Sequence, residues 1–274
     1  MSVINTNVKS LIAQQALATN NRNLSKAMEQ LSTGKRINSA ADDAAGLSIT
    51  SKMTAQIRGL NQAVRNANDG ISMIQTVEGA LNEVTNMLQR MRELAVQSVN
   101  GTNSSSDRTS LDTEFDQLAA EISRVSSNTT WNGMQVLGSA ATTYAFQVGP
   151  DSGATVTASF LDIDVTGSTI ASAIAIGVAS VDSATSALTQ LDSAISVVST
   201  YRSTLGAMVN RLNYTVDNLT NVATNTAESR SRILDADYAA TTTELARTQI
   251  IQQAATAMLA QANQSPQSVL SLLK

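Results

Sequence analysis

With 274 residues, no cysteine, no histidine and a net charge of −4, the chain is long enough for a sizeable core but poorly furnished for chemistry. The acidic balance argues against nucleic-acid binding, the missing cysteines exclude disulfides and thiol nucleophiles, and the missing histidines remove the commonest catalytic base and metal ligand. Hydrophobic residues make up 42% of the chain but aromatic residues only 3%, which suits long helices packed side by side better than a compact globule.

The opening Met1–Ser2–Val3–Ile4–Asn5 has no basic stretch ahead of an apolar run, so no cleavable secretory signal of the usual kind is expected. No window approaches the run of about 18 apolar residues that a membrane span needs, so no membrane association is expected. Residues 1–43 carry Val8, Leu11, Ile12, Leu24, Met28 and Leu31 on an amphipathic, helix-prone stretch too short to bury its own apolar face. Gly34 reads as a turn, with no phosphate-loop spacing around it. Asp42 and Asp43 precede the next helix and read as its cap, because a carboxylate pair without histidine or a metal motif makes a poor acid–base site.

From about 44 to 99 runs a seven-residue apolar repeat: Leu60, Ala67, Ile74, Leu81, Leu88 and Ala95. Ile57, Val64 and Ile71 hold the companion position, and Val77, Val84 and Met91 take it over further along, a local slip in the stripe. Such a helix would run roughly 80 Å and needs partners along its length. Residues 100–107 are a polar stop and restart, with Ser106 or Asp107 available as a cap. Leu111, Phe115, Leu118, Ile122 and Val125 then predict a second amphipathic helix over about 107–128.

The Asn132–Gly133 turn signal opens a β-hairpin region over 131–166, with Thr155–Val156–Thr157–Ala158–Ser159–Phe160 strand-like in composition. Residues 168–187 are ambiguous. From about 183 to 232 the heptad returns through Leu191, Val198, Leu205, Leu212 and Leu219, with Leu188, Ile195, Val209 and Val216 as companions and Arg202 interrupting. This stripe is the natural partner of the first. Residues 235–274 carry Leu245, Ile250, Ile251, Met258, Leu259, Val269, Leu270, Leu272 and Leu273, again more apolar surface than one short helix can hide. The fold class is therefore mainly α: an elongated antiparallel helical bundle or coiled coil with a small β-hairpin region, flanked by sticky terminal helices built to associate. Asn128–Thr129–Thr130 fits the glycan acceptor pattern, which is common by chance, and Ser and Thr in 139–187 are candidates for O-modification.

Several long segments resemble the bacterial flagellins. They are SVINTN at 2–7, LSTGKRINSAADDAAGL at 31–47, QRMRELAVQ at 89–97, LAQANQ at 259–264 and VLSLL at 269–273, with TYAFQVG at 143–149 similar to the family's hairpin. The likeness spans roughly 1–137 and 190–274, while 165–187 match nothing specific. It implies a short flagellin without large outer domains: 1–43 and 235–274 as the two parts of the inner-core domain, forming a coiled coil in the filament, and 44–234 as the bundle. It implies a structural, non-enzymatic filament subunit without cofactors, exported by the flagellar type III route to the extracellular filament. The implied partners are sibling subunits, an export chaperone, the filament cap and hook–filament junction proteins. The likeness also implies recognition by Toll-like receptor 5 on a surface including Gln89, Arg90, Arg92, Glu93, Leu94, Gln97 and Glu114, which the next subunit would cover in the filament. NAIP-type sensors would read the apolar C-terminus. A chemoreceptor-type hairpin should show membrane spans, and a hook–filament junction protein should match the 90–96 motif less well.

Overall fold

A computed structural model of the chain describes residues 6–138, 143–160 and 168–271, with side-chain surroundings described as far as 264. In chain order the elements are α1 (Val8–Thr33), α2 (Ala44–Val99), α3 (Ser105–Asn128), β1 (Thr130–Trp131), β2 (Met134–Gln135), β3 (Thr143–Gln147), β4 (Thr155–Ser159), α4 (Thr169–Ile174), α5 (Val181–Leu234) and α6 (Tyr238–Ser271). They divide into two compact units. One joins Met1–Ile57 to Thr224–Lys274, and the other is Arg58–Ala223.

The second unit is organised by the two heptad stripes. Leu60, Ala67, Ile74, Leu81, Leu88 and Ala95 of α2 are all buried, as are Leu191, Val198, Leu205, Leu212 and Leu219 of α5. The two helices run antiparallel, because Arg92 meets Asp192 and the cluster Leu60, Ala63, Leu219 and Ala223 closes the other end. The slip in the stripe has a structural cause. Ile57, Val64 and Ile71 are only half-buried, whereas Val77, Val84 and Met91 are fully buried. Arg90 meets Glu114 and the Ser98 carbonyl meets Arg108, so α3 runs antiparallel to α2. The end of α3 at Asn128 then falls beside the Val77 turn. Beyond that turn α2 has two helical neighbours, and a wider arc of its surface must be apolar.

Helix α3 starts two residues earlier than its periodicity predicts. Ser104 is the cap: its side chain accepts from the Asp107 N–H while the Asp107 carboxylate accepts from the Ser104 N–H and hydroxyl. Its inner face presents Phe115 and Ile122 to the core. The β region is two hairpins rather than one. β1 and β2 pair around Asn132–Gly133, both at positive φ (49° and 77°), the conformation a two-residue turn demands. β3 and β4 pair from Thr143↔Ser159 to Gln147↔Thr155. This second hairpin lies on α2 at Gly70, where a Cβ would sit 3.1 Å from the Phe146 ring, and Asn66 donates to the Gln147 carbonyl at 3.0 Å. Of the ambiguous stretch, 169–174 form α4, capped by Ser168. The parts of the predicted hairpin region over 139–142 and 161–166 lie outside the described residues.

In the first unit, α1 and α6 are an antiparallel pair, joined at one end by the two connections. Gly34 ends α1 in the left-handed conformation and donates to the Gln30 carbonyl. Lys35 and Asp235 form an antiparallel bridge, the Arg36 N–H donates to the Leu234 carbonyl at 2.7 Å, and the Ala236 N–H donates to the Gly34 carbonyl at 3.0 Å. The two aspartates ahead of α2 divide the work that both were expected to do. Asp43 caps the helix through the Gly46 N–H at 2.8 Å. Asp42 instead pairs with Lys26 of α1 at 2.8 Å and accepts from the Asn38 and Ser39 N–H groups.

Two measurements check these assignments. Leu81→Ala removes a fully buried side chain from the centre of the bundle and should cost about 2–5 kcal/mol in urea unfolding, against a change within about 0.5 kcal/mol for the exposed Tyr214→Ala. The Lys26 ammonium, then the Ser39 N–H, hold the Asp42 carboxyl down to about 2 from an ordinary 3.8. A depressed carboxylate stabilises the folded junction above its unfolded value and loses that contribution as pH falls through the folded one. Protection factors around 34–43, amide exchange corrected for its intrinsic dependence on pH, should therefore fall between pH 4 and about 2 in the parent chain but not in Asp42→Asn, followed by NMR.

Candidate functional site

The seam between α1 and α6 mixes small and polar side chains with leucines that are only half-buried. On α1 the inward positions are Ser10, Ala13, Leu17, Asn20, Leu24, Ala27 and Leu31, spaced three and four apart. On α6 they include Thr241, Leu245, Thr248, Gln252, Ala255 and Leu259. Asn20 is buried and donates to the Thr248 carbonyl at 2.8 Å, Ser10 donates to Asn263 Oδ1 at 3.0 Å, and Gln252 donates to Asn21 Oδ1 at 3.2 Å. These bonds tie the register of the pair, while Leu17, Leu24, Leu31, Leu245 and Leu259 give it only a partial apolar core.

The other large apolar side chains turn away from that seam. Val8, Leu11, Ile12 and Met28 on α1, and Ile250, Ile251 and Met258 on α6, are exposed; Ile12, Ile250 and Met258 reach 62%, 66% and 66%. Ile12 and Met258 both line an open groove of about 430 Å³ that Lys9, Ala13, Gln261 and Ala262 complete. The side chains of Val269 and Leu270, and all of Leu272 and Leu273, lie outside what the structure describes.

The second predicted surface lies on α2. Gln89, Arg90, Arg92, Glu93 and Gln97 are exposed there, as is Glu114 on α3. Two arginines that are close in sequence point to opposite edges of the helix. Arg90 donates to Glu114 Oε1 from Nε at 2.9 Å and from Nη2 at 2.8 Å, and to Glu93 Oε2 from Nη1 at 3.0 Å. Its guanidinium is held more firmly protonated by Glu114 first and Glu93 second. Arg92 pairs instead with Asp192 of α5 at 2.6 Å, which pulls the Asp192 carboxyl below its usual range. Leu94 is corrected. It is fully buried in the core and offers nothing to a surface partner, because α3 covers that edge of α2.

Asp192, Asn20 and Thr248 were not singled out from the sequence. The repeat that places α5 against α2 could have suggested Asp192, one position beyond the core residue Leu191. Asn20 and Thr248 carry no hydrophobic signal. A further polar node closes the bundle: the Val178 N–H donates to Asp112, its carbonyl accepts from Ser98, and Arg108 donates to the Ser98 and Asn100 carbonyls. Among the described residues no cluster of three His, Cys, Asp or Glu could hold a metal ion, and no helix is long and apolar enough to cross a membrane.

The domain described as the bacterial flagellin N-terminal helical region matches residues 4–142, and the one described as the C-terminal helical region matches 188–273. The flagellin of Halalkalibacterium halodurans is 48% identical across 99% of this chain and 100% of its own length. The flagellar filament 33 kDa core protein of Treponema phagedenis is 43% identical, again over 99% and 100%. The crystal structure of Bacillus cereus flagellin superposes with a TM-score of 0.51 and 34% identity, over 61% of this chain and 94% of that one.

The contrast between Leu94 and Arg90 is directly measurable. Leu94→Ala should lower stability by about 2–5 kcal/mol through the cavity it leaves, whereas Arg90→Ala should leave the thermal midpoint near that of the parent. Differential scanning calorimetry of the two variants checks it.

Proposed function

The chain belongs to the bacterial flagellin family and is a structural subunit of the flagellar filament, not an enzyme, and from that premise we propose that the outward apolar faces of α1 and α6 are its polymerisation surface. The observation that carries this reading is the division of labour in the pair. Small and polar residues with half-buried leucines face inward, and Val8, Leu11, Ile12, Met28, Ile250, Ile251 and Met258 face outward. A lone pair of this kind buries too little apolar surface to offset the entropy of ordering two long helices. Sibling chains supply the missing surface. The contact is heterologous and head-to-tail, so it propagates into a helical tube and does not close into a ring. On this reading 1–43 and 235–274 form the inner core of the filament, around which 44–234 stands as the bundle.

The Arg90, Glu93, Gln89, Gln97 and Glu114 surface serves in the same scheme as a contact with the next subunit and, in the free chain, as the face read by Toll-like receptor 5. Support for it comes from an exposed, salt-bridged arginine presented on two rigid helices, at the positions that resemble the family's recognition motif. Export follows the flagellar type III route, with a chaperone holding the terminal apolar faces before assembly. The filament cap and the hook–filament junction proteins then meet those same faces, and NAIP-type sensors take the apolar C-terminus.

Ile12→Asp and Ile250→Asp, each at an exposed position, should leave the far-ultraviolet circular dichroism and the thermal transition of the bundle unchanged and abolish seeded filament growth. Removal of 238–274 takes helical signal with it but should likewise spare the thermal transition of the bundle and abolish filament growth, scored by electron microscopy, and normal filaments from any of the three would refute the assignment. Arg90→Glu places three carboxylates together and should weaken both receptor signalling and filament growth; a variant with both intact argues against a shared surface.

A further inference from the structure

The chain has nine methionines, and the eight among the described residues differ widely in exposure. Met73 and Met91 are buried, and Met53, Met87 and Met208 are half-buried. Among the described residues only three are exposed: Met28 on α1 at 56%, Met258 on α6 at 66% and Met134 on β2 at 43%. Met28 and Met258 sit within the outward apolar faces of the terminal pair, and Met258 lines the groove with Ile12. Neither belongs to a buried core cluster.

We propose that Met28 and Met258 are an oxidation-sensitive site that controls whether the free chain can polymerise, with hydroperoxides as the oxidant class. The inference rests on the assembly reading above. The thioether sulfur takes one oxygen atom from the hydroperoxide and loses two electrons, the O–O bond breaks, and the peroxide leaves as water or an alcohol. Exposure decides which methionines react, so the free chain is modified at these positions and at Met134 while its core methionines are spared. A sulfoxide is polar and chiral, and it replaces a flexible apolar side chain that filled space between neighbours. The folded chain tolerates the change because neither side chain supports its core. The polymer does not, because each sulfoxide would have to be buried among apolar groups. Once the two faces are covered in a filament, the same sulfurs are shielded, so sensitivity is confined to the unassembled chain.

The test treats the full-length chain with hydrogen peroxide, maps sulfoxides by peptide mass spectrometry and measures the critical concentration for seeded polymerisation. Modification of Met28 and Met258 should raise that concentration about tenfold or more. Methionine sulfoxide reductases should restore it. A Met28→Leu/Met258→Leu chain should polymerise equally before and after peroxide, whereas Met134→Leu should remain as sensitive as the parent. If the untreated double variant polymerises poorly, recovery of the oxidised parent by the reductases decides in its place. Unchanged polymerisation of a parent chain with verified sulfoxides at both positions overturns the proposal and leaves the assembly reading standing. An untreated parent that never polymerises removes that reading and the proposal with it.

Discussion

The pairing of α1 with α6 through a seam too thin to hide their own large side chains is the constraint on which the rest of the molecule turns. A helix of this length gains most of its stability from packing an apolar face against neighbours. Here the intrachain partner takes alanines, serine, threonines, a buried asparagine and a row of leucines that it only half covers, and leaves isoleucine, methionine and valine to solvent. Register is fixed by specific hydrogen bonds, Asn20 to the Thr248 carbonyl above all. On the proposed reading, specificity within the chain and adhesion between chains fall on different sides of the same helices.

The bundle of the second unit solves the opposite problem. Its heptad stripes are satisfied internally, and every seven-spaced residue from Leu60 to Ala95 meets a partner. The fully buried polar side chains described in that core hold backbone groups: Ser126 bonds the Leu137 carbonyl, and Ser98 with the half-buried Asp112 pins both sides of Val178 where the chain re-enters for α5. A bundle satisfied internally can be folded before assembly, while on the proposed reading the terminal pair waits for sibling chains to cover its apolar faces.

Much of this was legible in the residues. Seven-residue spacing places α2 and α5, and the slip at Val77 records the arrival of α3. What the pattern could not convey was direction. Val8, Leu11 and Ile12 read as apolar surface for other chains, but nothing marks which side of α1 meets α6, because the inward choice of Ser10 and Asn20 carries no hydrophobic signal. Leu17, which also faces inward, belongs to a stripe with Leu24 and Leu31 at seven-residue spacing that the more conspicuous Leu11–Ile12 pair obscures. Leu94 is buried although its neighbours are exposed because a surface motif and a core stripe overlap on one helix, and only the position of α3 separates them. The strands of the β region are only two to five residues long, so although Val156, Ala158 and Phe160 join the core, the two hairpins leave a weak periodic trace. Helix α4 hides in a stretch where Ala, Ser, Ile and Val satisfy several conformations equally.

The central question is whether the terminal helices depend on neighbours for their stability. Hydrogen exchange read by mass spectrometry compares the same amides in the free chain and in the filament. Amides over Val8–Thr33 and Tyr238–Ser271 should exchange rapidly in the free chain and become protected on polymerisation, while the core of α2 and α5 is protected in both. Terminal amides as slow in the free chain as those of the bundle, unchanged on polymerisation, would contradict it.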